Sequence, residues 1–409
     1  MKVFVVNCGS SSIKFQLFDM ADESVMSRGV MERVGTEDAT VSMSVAGQAC
    51  KPTAAGQAGR DHHTGLKAIV SALVDAGAIA SVSEIEGVGH RVVHGAAEIN
   101  ESRRIDADVL KVIKDNCALA PLHNPANLAG IEAAFEVLPD VPHVAVFDTA
   151  FLADLPPTAY RYAVPEKWYK DYHVRKYGFH GTSHRYVTLR MAELLGKQVD
   201  EVNLVTAHLG NGCSMTAVAG GKACDHSMGM TPLEGLMMGT RSGDIDPAVI
   251  FYLAGQGVSY DQISQLLNKS AGLLGVSGRS NDMRDLLAAA EDGDERAELA
   301  VDMFVYRIAK YAGAYQAILP STDALVLTGG IGENCPAVRE KLCRRLAGLG
   351  VVVSATRNDN YVGSGEDRIT ADDSALAIWV VPTNEELMIA RDTQAVAAGK
   401  PIKSDRDVK

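Results

Sequence analysis

"HLGNGCSMTAVAGGK", residues 208–222, decides the fold. It follows the apolar run Val202–Ala207, breaks into Gly and Asn, and resumes as an alternating run. "NCGSSSIKFQLFD", residues 7–19, does the same after Val3–Val6, roughly half a chain length earlier. A continuous apolar run suits a strand buried on both faces, and alternation suits a half-buried one. Each stretch therefore reads as strand, tight turn, strand. One chain carrying that unit twice predicts a duplicated domain with a cleft between the copies.

Outward from these units, strands and helices alternate. Phe15–Phe18 and "ATVSMSV" (39–45) alternate as strands, and 50–63 reads as a loop. Leu66, Ile69, Val70, Leu73 and Val74 follow helical spacing. Val141–Phe147 is a buried strand ending on Asp148. Ser183 is placed as the N-cap of a helix running to Gly196. A long helix spans Glu295 to Leu319 and stops at Pro320. Ala324–Leu327 is a strand entering "TGGIGEN", with a helix after it whose first turn holds Pro336. Ala375–Val381 is a last strand, followed by "PTNEEL" and a last helix. This alternation gives an α/β chain.

The bulk numbers set bounds. A length of 409 residues fits about two domains. A net charge of −12 argues against nucleic acid as a partner, so any anion must be held locally by placed Arg, Lys and backbone N–H groups. Seven cysteines, odd in number and without a C-x-x-C pair, suit a reduced, cytoplasmic chain rather than a disulfide framework or zinc site. No run reaches the ~20 apolar residues of a membrane helix.

Three Gly-rich turns can cradle phosphate. A tight turn leaves N–H groups free and lets an oxyanion approach closely. "NCGSSSIK" adds Ser10, Ser12 and the cation Lys14; "HLGNG" adds His208 and Asn211; "TGGIGEN" lies between a strand and a helix. None meets the Rossmann or P-loop fingerprint. Charged residues sit at apolar run ends: Arg91 in "GHRVVHG", Asp148 in "VAVFDTAF", His180 in "GFHGTSH", and Arg241, Asp244 and Asp246 in the loop 228–247. Phosphoryl transfer asks for positive charge on the moving group, a divalent cation and in-line placement. Two arginines supply the first. Asn7, Asp148 and Glu385 offer hard oxygens suited to Mg²⁺. His180 and His184, four apart, lack a third ligand at helical spacing and are not read as a zinc pair.

Together, "NCGSSSIKFQLF", "GHRVVHG", "FDTAF", "YGFHGTSHRYV", "HLGNGCSM", "MGMTPLEGLMMGTRSGDIDP", "GGIGEN" and "PTNEELMIARDT" resemble the acetate kinase (acetokinase) family, in its order, from residue 3 to about 393. The resemblance implies two βββαβαβα domains of the actin-like ATPase, ribonuclease H-like type. They would span 1–150 plus 386–409, and 151–385, with the active-site cleft between them. It implies reversible in-line transfer of the ATP γ-phosphate to acetate, giving acetyl phosphate and ADP, with Mg²⁺ or alternatively Mn²⁺. It also implies a homodimer through the C-terminal domain.

By position, Arg91 would contact the acetate carboxylate and Asp148 would lie beside it and the metal's water shell. His180 and Arg241 would stabilise the moving phosphoryl group. Asn7 and Glu385 would organise the metal. Ser10, Ser12, Lys14, His208, Leu209, Gly210, Asn211, Gly212, Asp282, Met283, Arg284, Gly330, Ile331, Gly332, Glu333 and Asn334 would line ATP. Val93, Leu122, Phe179 and Pro232 would hold the methyl group. Acetate is already ionised at neutral pH, so Asp148 is read as a positioning residue and not as a proton acceptor.

Three residues depart from the family pattern. Cys8 stands where Ala or Ser is common, and the preferred reading is a small buried residue over an oxidation-sensitive one. Ala96 replaces a Gly, and His226 replaces Thr or Ser with no evident consequence. The rival with the same chemistry is a propionate kinase; Val93, larger than the residue such enzymes tend to have there, favours acetate. The rival from another class, an actin-like or heat-shock-chaperone ATPase clamp, would need an appended peptide-binding or polymer-contact region, and none is evident.

Overall fold

The computed structural model describes residues 1–54, 56–118, 120, 123–361, 363, 365–400 and 402. Contacts divide the chain into two compact units. One is Met1–Ala153 with the segment that begins at Asn384; the other is Asp154–Thr383. Glu385 therefore belongs with the first unit.

In the N-terminal unit the apolar run near the start is β1 (Lys2–Cys8), which turns at Gly9 into β2 (Ser12–Asp19) and then β3 (Ser24–Glu32) and β4 (Thr40–Val45). β1 pairs antiparallel with β2, setting Asn7 opposite Lys14. Helix α1 (His62–Asp75) carries the expected apolar face, and its N-cap Asp61 accepts from Thr64 N in a capping box. The loop expected over 50–63 also holds the short strand Thr53–Ala54 and the first residues of α1. Next come β5 (Ile85–Val92), α2 (Ala107–Asp115), α3 (Asn124–Val137) and β6 (His143–Phe147). β5 runs parallel to both β1 and β6. Leu66, Ile69 and Leu73 of α1 and Ala133 and Ala134 of α3 pack with Phe4, Val6, Ile13, Phe15 and Leu17 into one core. The C-terminal helix Glu385–Ala397 packs on β5 closely enough that a Cβ at Gly89 would overlap Thr393 and Ile389.

The C-terminal unit repeats the scheme. After α4 (Gly181–Leu195), β7 (Leu204–Leu209) turns into β8 (Cys213–Ala219) and β9 (Lys222–His226). α5 (Ala248–Gly255), α6 (Met283–Glu291) and α7 (Glu295–Ile318) precede β10 (Ala324–Thr328). α8 (Gly329–Asn334), α9 (Pro336–Arg345) and β11 (Ile378–Val380) follow. The strand order is β3-β2-β1-β5-β6 in one sheet and β9-β8-β7-β10-β11 in the other, with the same pattern of antiparallel and parallel pairs. The two strand–turn–strand units are thus equivalent parts of a duplicated fold.

Local expectations fail at two points. The N-cap of α4 is His180, in the left-handed region at φ 58°, and not Ser183. Ser183 cannot cap because its hydroxyl is engaged with His208 Nδ1 and Thr383 Oγ1, both at 2.8 Å. The last strand is three residues long, shorter than its apolar run. Among the described residues no helix is long and apolar enough to cross a membrane.

Candidate active site

In open α/β sheets, ligands gather at the carboxyl ends of parallel strands. In the N-terminal unit those ends carry Asn7, Arg91 and Asp148. Arg91 and Asp148 terminate neighbouring parallel strands, and Asp148 N donates to Val92 O at 2.9 Å. The guanidinium grips Asp148 with both Nη2 and Nε. Glu385 opens the C-terminal helix with one carboxylate oxygen 3.6 Å from Arg91 Nε. Burial opposes the charge of Arg91, but Asp148 and Glu385 outweigh it and hold the guanidinium above its usual range. Burial, with Asp148 and Glu386 adding to it against Arg91, pushes Glu385 up to about 7. Such a carboxyl is short of positive charge, and hard oxygens on it, Asp148 and Asn7 suit a divalent cation. Among the described residues no group of three or more His, Cys, Asp or Glu forms a metal cage. A cation held largely by water and substrate phosphates, as Mg²⁺ usually is, needs none.

The turn that follows β1 is braced from behind. Gly9 N donates to Ser12 O at 2.8 Å, and His62 Nε2 lies 2.9 Å from Gly9 O. Ser10 and Lys14 are exposed and Ser12 half-buried. Asn127 of α3 ties strand ends together, accepting from Val93 N at 3.1 Å and donating to Cys8 O at 2.8 Å. Asn124 brackets both backbone groups of His94 in the same way. Sequence reasoning missed both asparagines, which no local pattern in NPANLAGIEAAFEV sets apart. Cys8 packs against Gly130, and burial pushes its thiol up to about 12, which fits a small packing residue and not a redox site. Val93 is buried beside this network, and Leu122 lies outside the described residues.

In the C-terminal unit the turn 210–212 closes through Gly210 N donating to Gly212 O at 3.1 Å. The loop 228–247 docks on it: Gly239 N donates to Asn211 O at 2.9 Å, and a Cβ at Gly239 would overlap the Asn211 side chain. That docking delivers Arg241. A Cβ at Gly212 would stand 3.5 Å from His180 Nε2 and 3.7 Å from Arg241 Nη1, so turn, imidazole and guanidinium converge on one point. Arg241 Nη1 donates to Pro232 O at 3.4 Å, and burial lowers its pKa. Among the described residues no carboxylate pairs with it. Asp244 is instead spent on the loop, accepting from Gly235 N and Tyr311 OH at 2.8 Å, and Asp246 accepts from Ala248 N at 2.9 Å.

Three histidines nearby form a hydroxyl-linked cluster. His180 Nδ1 and His184 Nε2 share Ser214 Oγ at 2.9 and 2.8 Å, and His184 Nδ1 reaches Thr206 Oγ1 at 2.7 Å. His208 stacks on His180 with centroids 4.4 Å apart. The partners of His184 are hydroxyls on both ring nitrogens, which fits a core residue and not a zinc ligand. Phe179 is buried just before His180.

A cavity of about 430 Å³ opens beyond the turn, lined by Gly210, Asn211, Asn281, Asp282, Met283, Arg284, Gly330, Ile331, Asn334 and Cys335. Its volume suits a nucleoside. Asn281 and Cys335 were not singled out from sequence, although each adjoins a segment that was. Leu209, Gly332 and Glu333 stand behind this lining. Glu333 accepts from Gly329 N at 2.7 Å and Thr328 Oγ1 at 3.2 Å, bracing the start of α8. Asp282 caps α6 and pairs with Arg284, which holds its carboxyl down to about 2.

The acetokinase family model matches residues 2–391. The chain belongs to the acetokinase family. It is 50% identical over 400 residues to an acetate kinase of Thermotoga maritima, covering 97% of this chain and 98% of that one. The crystal structure of Porphyromonas gingivalis acetate kinase superposes with a TM-score of 0.91 at 44% identity, covering 97% and 99% of the two chains. A propionate kinase from Francisella tularensis gives 0.90 at 41% identity with the same coverage. Membership makes the chain a kinase, a phosphotransferase with a carboxyl acceptor and ATP/ADP as co-substrate.

Proposed function

We propose that the chain transfers the γ-phosphoryl group of ATP to acetate, reversibly, giving acetyl phosphate and ADP. The observation that carries this reading is Arg241: a half-buried guanidinium with no carboxylate partner among the described residues, beside the Gly212 turn and His180, next to a nucleotide-sized cavity. An unneutralised buried cation of this kind favours an anion that gains charge at that point. An acetate oxygen attacks the γ-phosphorus, the bond from phosphorus to the β-phosphate oxygen breaks, and ADP leaves with that electron pair. No proton moves, because the nucleophile is already a carboxylate.

Each residue then has a task. Arg91 orients the carboxylate, held in place by Asp148. Arg241, His180 and the N–H groups of the turn 210–212 carry the charge of the moving group. Lys14, Ser10 and Ser12 are assigned to the phosphates, and segments 282–284 and 330–334 hold the nucleoside. Mg²⁺, placed by Asn7 and Glu385 largely through water, would offset phosphate charge when bound. The two compact units act as catalytic domains, the N-terminal one for the acyl acceptor and the C-terminal one for the nucleotide.

Val93, Leu122, Phe179 and Pro232 select acetate, and one further methylene is worth only ~1–3 kcal/mol in such a pocket, so propionate is a slower second substrate. The chain works as a homodimer through the C-terminal unit: α5 leaves Phe251 and Tyr252 each 68% exposed and buries no residue. The test is hydroxamate formation with ATP, Mg²⁺ and either acid. Acetate-dependent product, with acetate ahead of propionate, is expected; no stimulation by acetate overturns the reading, and propionate ahead of acetate overturns the choice of substrate.

A further inference from the structure

His226, at the end of β9, has no task in the reading above, yet its ring is wholly buried and bonded at both nitrogens. Nε2 accepts from Phe179 N at 3.1 Å, and Nδ1 lies 2.8 Å from Thr216 Oγ1. A backbone N–H can only donate, so Nε2 carries no proton and Nδ1–H donates to the threonine hydroxyl. Burial, with His184 and Lys176 near it, pushes the pKa of His226 well below the ordinary range, so the ring stays a neutral acceptor. Its neighbour His184 meets it edge-on, centroids 5.3 Å apart.

What His226 holds matters more than what it is. The Phe179 N–H belongs to the Gly178–Phe179 peptide, one residue ahead of His180, whose φ of 58° lies in the left-handed region. A non-glycine residue keeps that conformation only where its surroundings over-determine it. Here three bonds do so. His226 fixes the Gly178–Phe179 peptide one residue ahead of the strained one, Ser214 fixes its ring at Nδ1, and the first helical bond, His184 N to His180 O at 3.0 Å, fixes the peptide after it. Loss of the first would let the backbone relax and swing the imidazole away from Gly212 and Arg241.

We propose that His226 is a positioning residue for phosphoryl transfer: by accepting the Phe179 amide proton it locks the strained His180 backbone and aims the His180 ring at the transferring group. The inference rests on the role given to His180 above. His226→Asn keeps an amide within reach of Thr216 but none within reach of Phe179. Because a misplacement of about 1 Å can cost up to about 100-fold, kcat for acetate-dependent turnover should fall about tenfold or more, with both KM values within about twofold. His226→Gln sets an oxygen near the Nε2 position and should restore most of kcat.

The deciding measurement is the cycle with His180→Ala. If His226 acts through His180, then His226→Asn lowers kcat in the wild-type background and changes it less than about twofold in the His180→Ala background. An equal factor in both backgrounds, or an unchanged kcat in His226→Asn, overturns the inference. Thermal melts accompany each variant. Should His226→Asn not fold, His226→Leu, which fills the ring's space but offers the Phe179 N–H no acceptor, goes through the same cycle and must lower kcat in the same His180-dependent way. A wild-type chain without acetate-dependent turnover, or a His180→Ala variant at full kcat, would instead strike the functional reading itself.

Discussion

Arg91 and Arg241 are the same residue type at the working ends of two equivalent sheets, and they stand in opposite electrostatic states. Arg91 is enclosed by carboxylates, gripping Asp148 and lying 3.6 Å from Glu385. Among the described residues Arg241 bonds a carbonyl oxygen at 3.4 Å and no carboxylate, and burial lowers its pKa. The first is neutralised when the protein folds; the second is left for a ligand to neutralise. Under the proposed function, a duplicated fold thus gives one arginine to structure and orientation and the other to the charge of the reaction.

The largest expected effect separates these roles. Arg241→Ala should lower kcat by about 10³-fold or more with little change in the KM for ATP, the mark of a group that binds in the transition state. The same variant should leave the unliganded protein as stable as before, or more so, because it removes a half-buried guanidinium that has no carboxylate partner among the described residues. Arg91→Ala should do the reverse in stability: it removes the guanidinium that grips Asp148, which is 1% exposed, and should cost about 3 kcal/mol in denaturant titration. Its KM for acetate should rise and its kcat fall together. Equal losses of stability in the two variants would erase the contrast between the arginines.

The acid triad around Arg91 gives the next effect. A carboxyl held up at about 7 in the folded chain binds its proton more tightly there than in the unfolded chain. Its contribution is fully present below the ordinary Glu range and is lost as pH rises through about 7. Relative to Glu385→Gln, the wild type should therefore lose on the order of 2 kcal/mol between pH about 4.5 and 8. Adding Mg²⁺ should move that loss to lower pH, since a bound cation favours the ionised carboxylate. Urea titrations across this range check both statements, and a flat difference between the two proteins would mean that Arg91 fully compensates Glu385.

The duplicated strand–turn–strand frame was legible because β1 and β7 are continuous apolar runs, each broken by a short polar turn, and such runs have few alternative folds. Arg91, Asp148 and Arg241 were legible as charges at the ends of apolar runs or inside a Gly-rich loop. What stayed hidden depends on partners distant in sequence. Ser183 has the composition of a cap, but tertiary bonds to His208 and Thr383 take its hydroxyl. Glu333 sits in a nucleotide-facing motif yet turns back on its own helix start. Asn127 bridges Cys8 and Val93, more than a hundred and more than thirty positions away respectively, and no local pattern marks it. His226 looked inconsequential because its bond to Phe179 exists only after β9 folds against the start of α4.

The smallest effect tests whether backbone strain divides between the units as charge does. Each unit holds a non-glycine residue in the left-handed region near its site: Ala96 at φ 53° and His180 at φ 58°. For Ala96 nothing is gained from the side chain, and its backbone is already fixed by the donation of its N–H to His94 Nδ1 at 2.8 Å. Ala96→Gly should therefore stabilise the protein by about 1 kcal/mol, read as a rise in melting temperature, and leave kcat unchanged. His180→Gly relieves the same strain but deletes the imidazole, so any gain in stability should come with a large loss of kcat. If Ala96→Gly also lowered kcat, the turn after Arg91 would be a working part of the site, and strain would serve the reaction in both units and not in the C-terminal one alone.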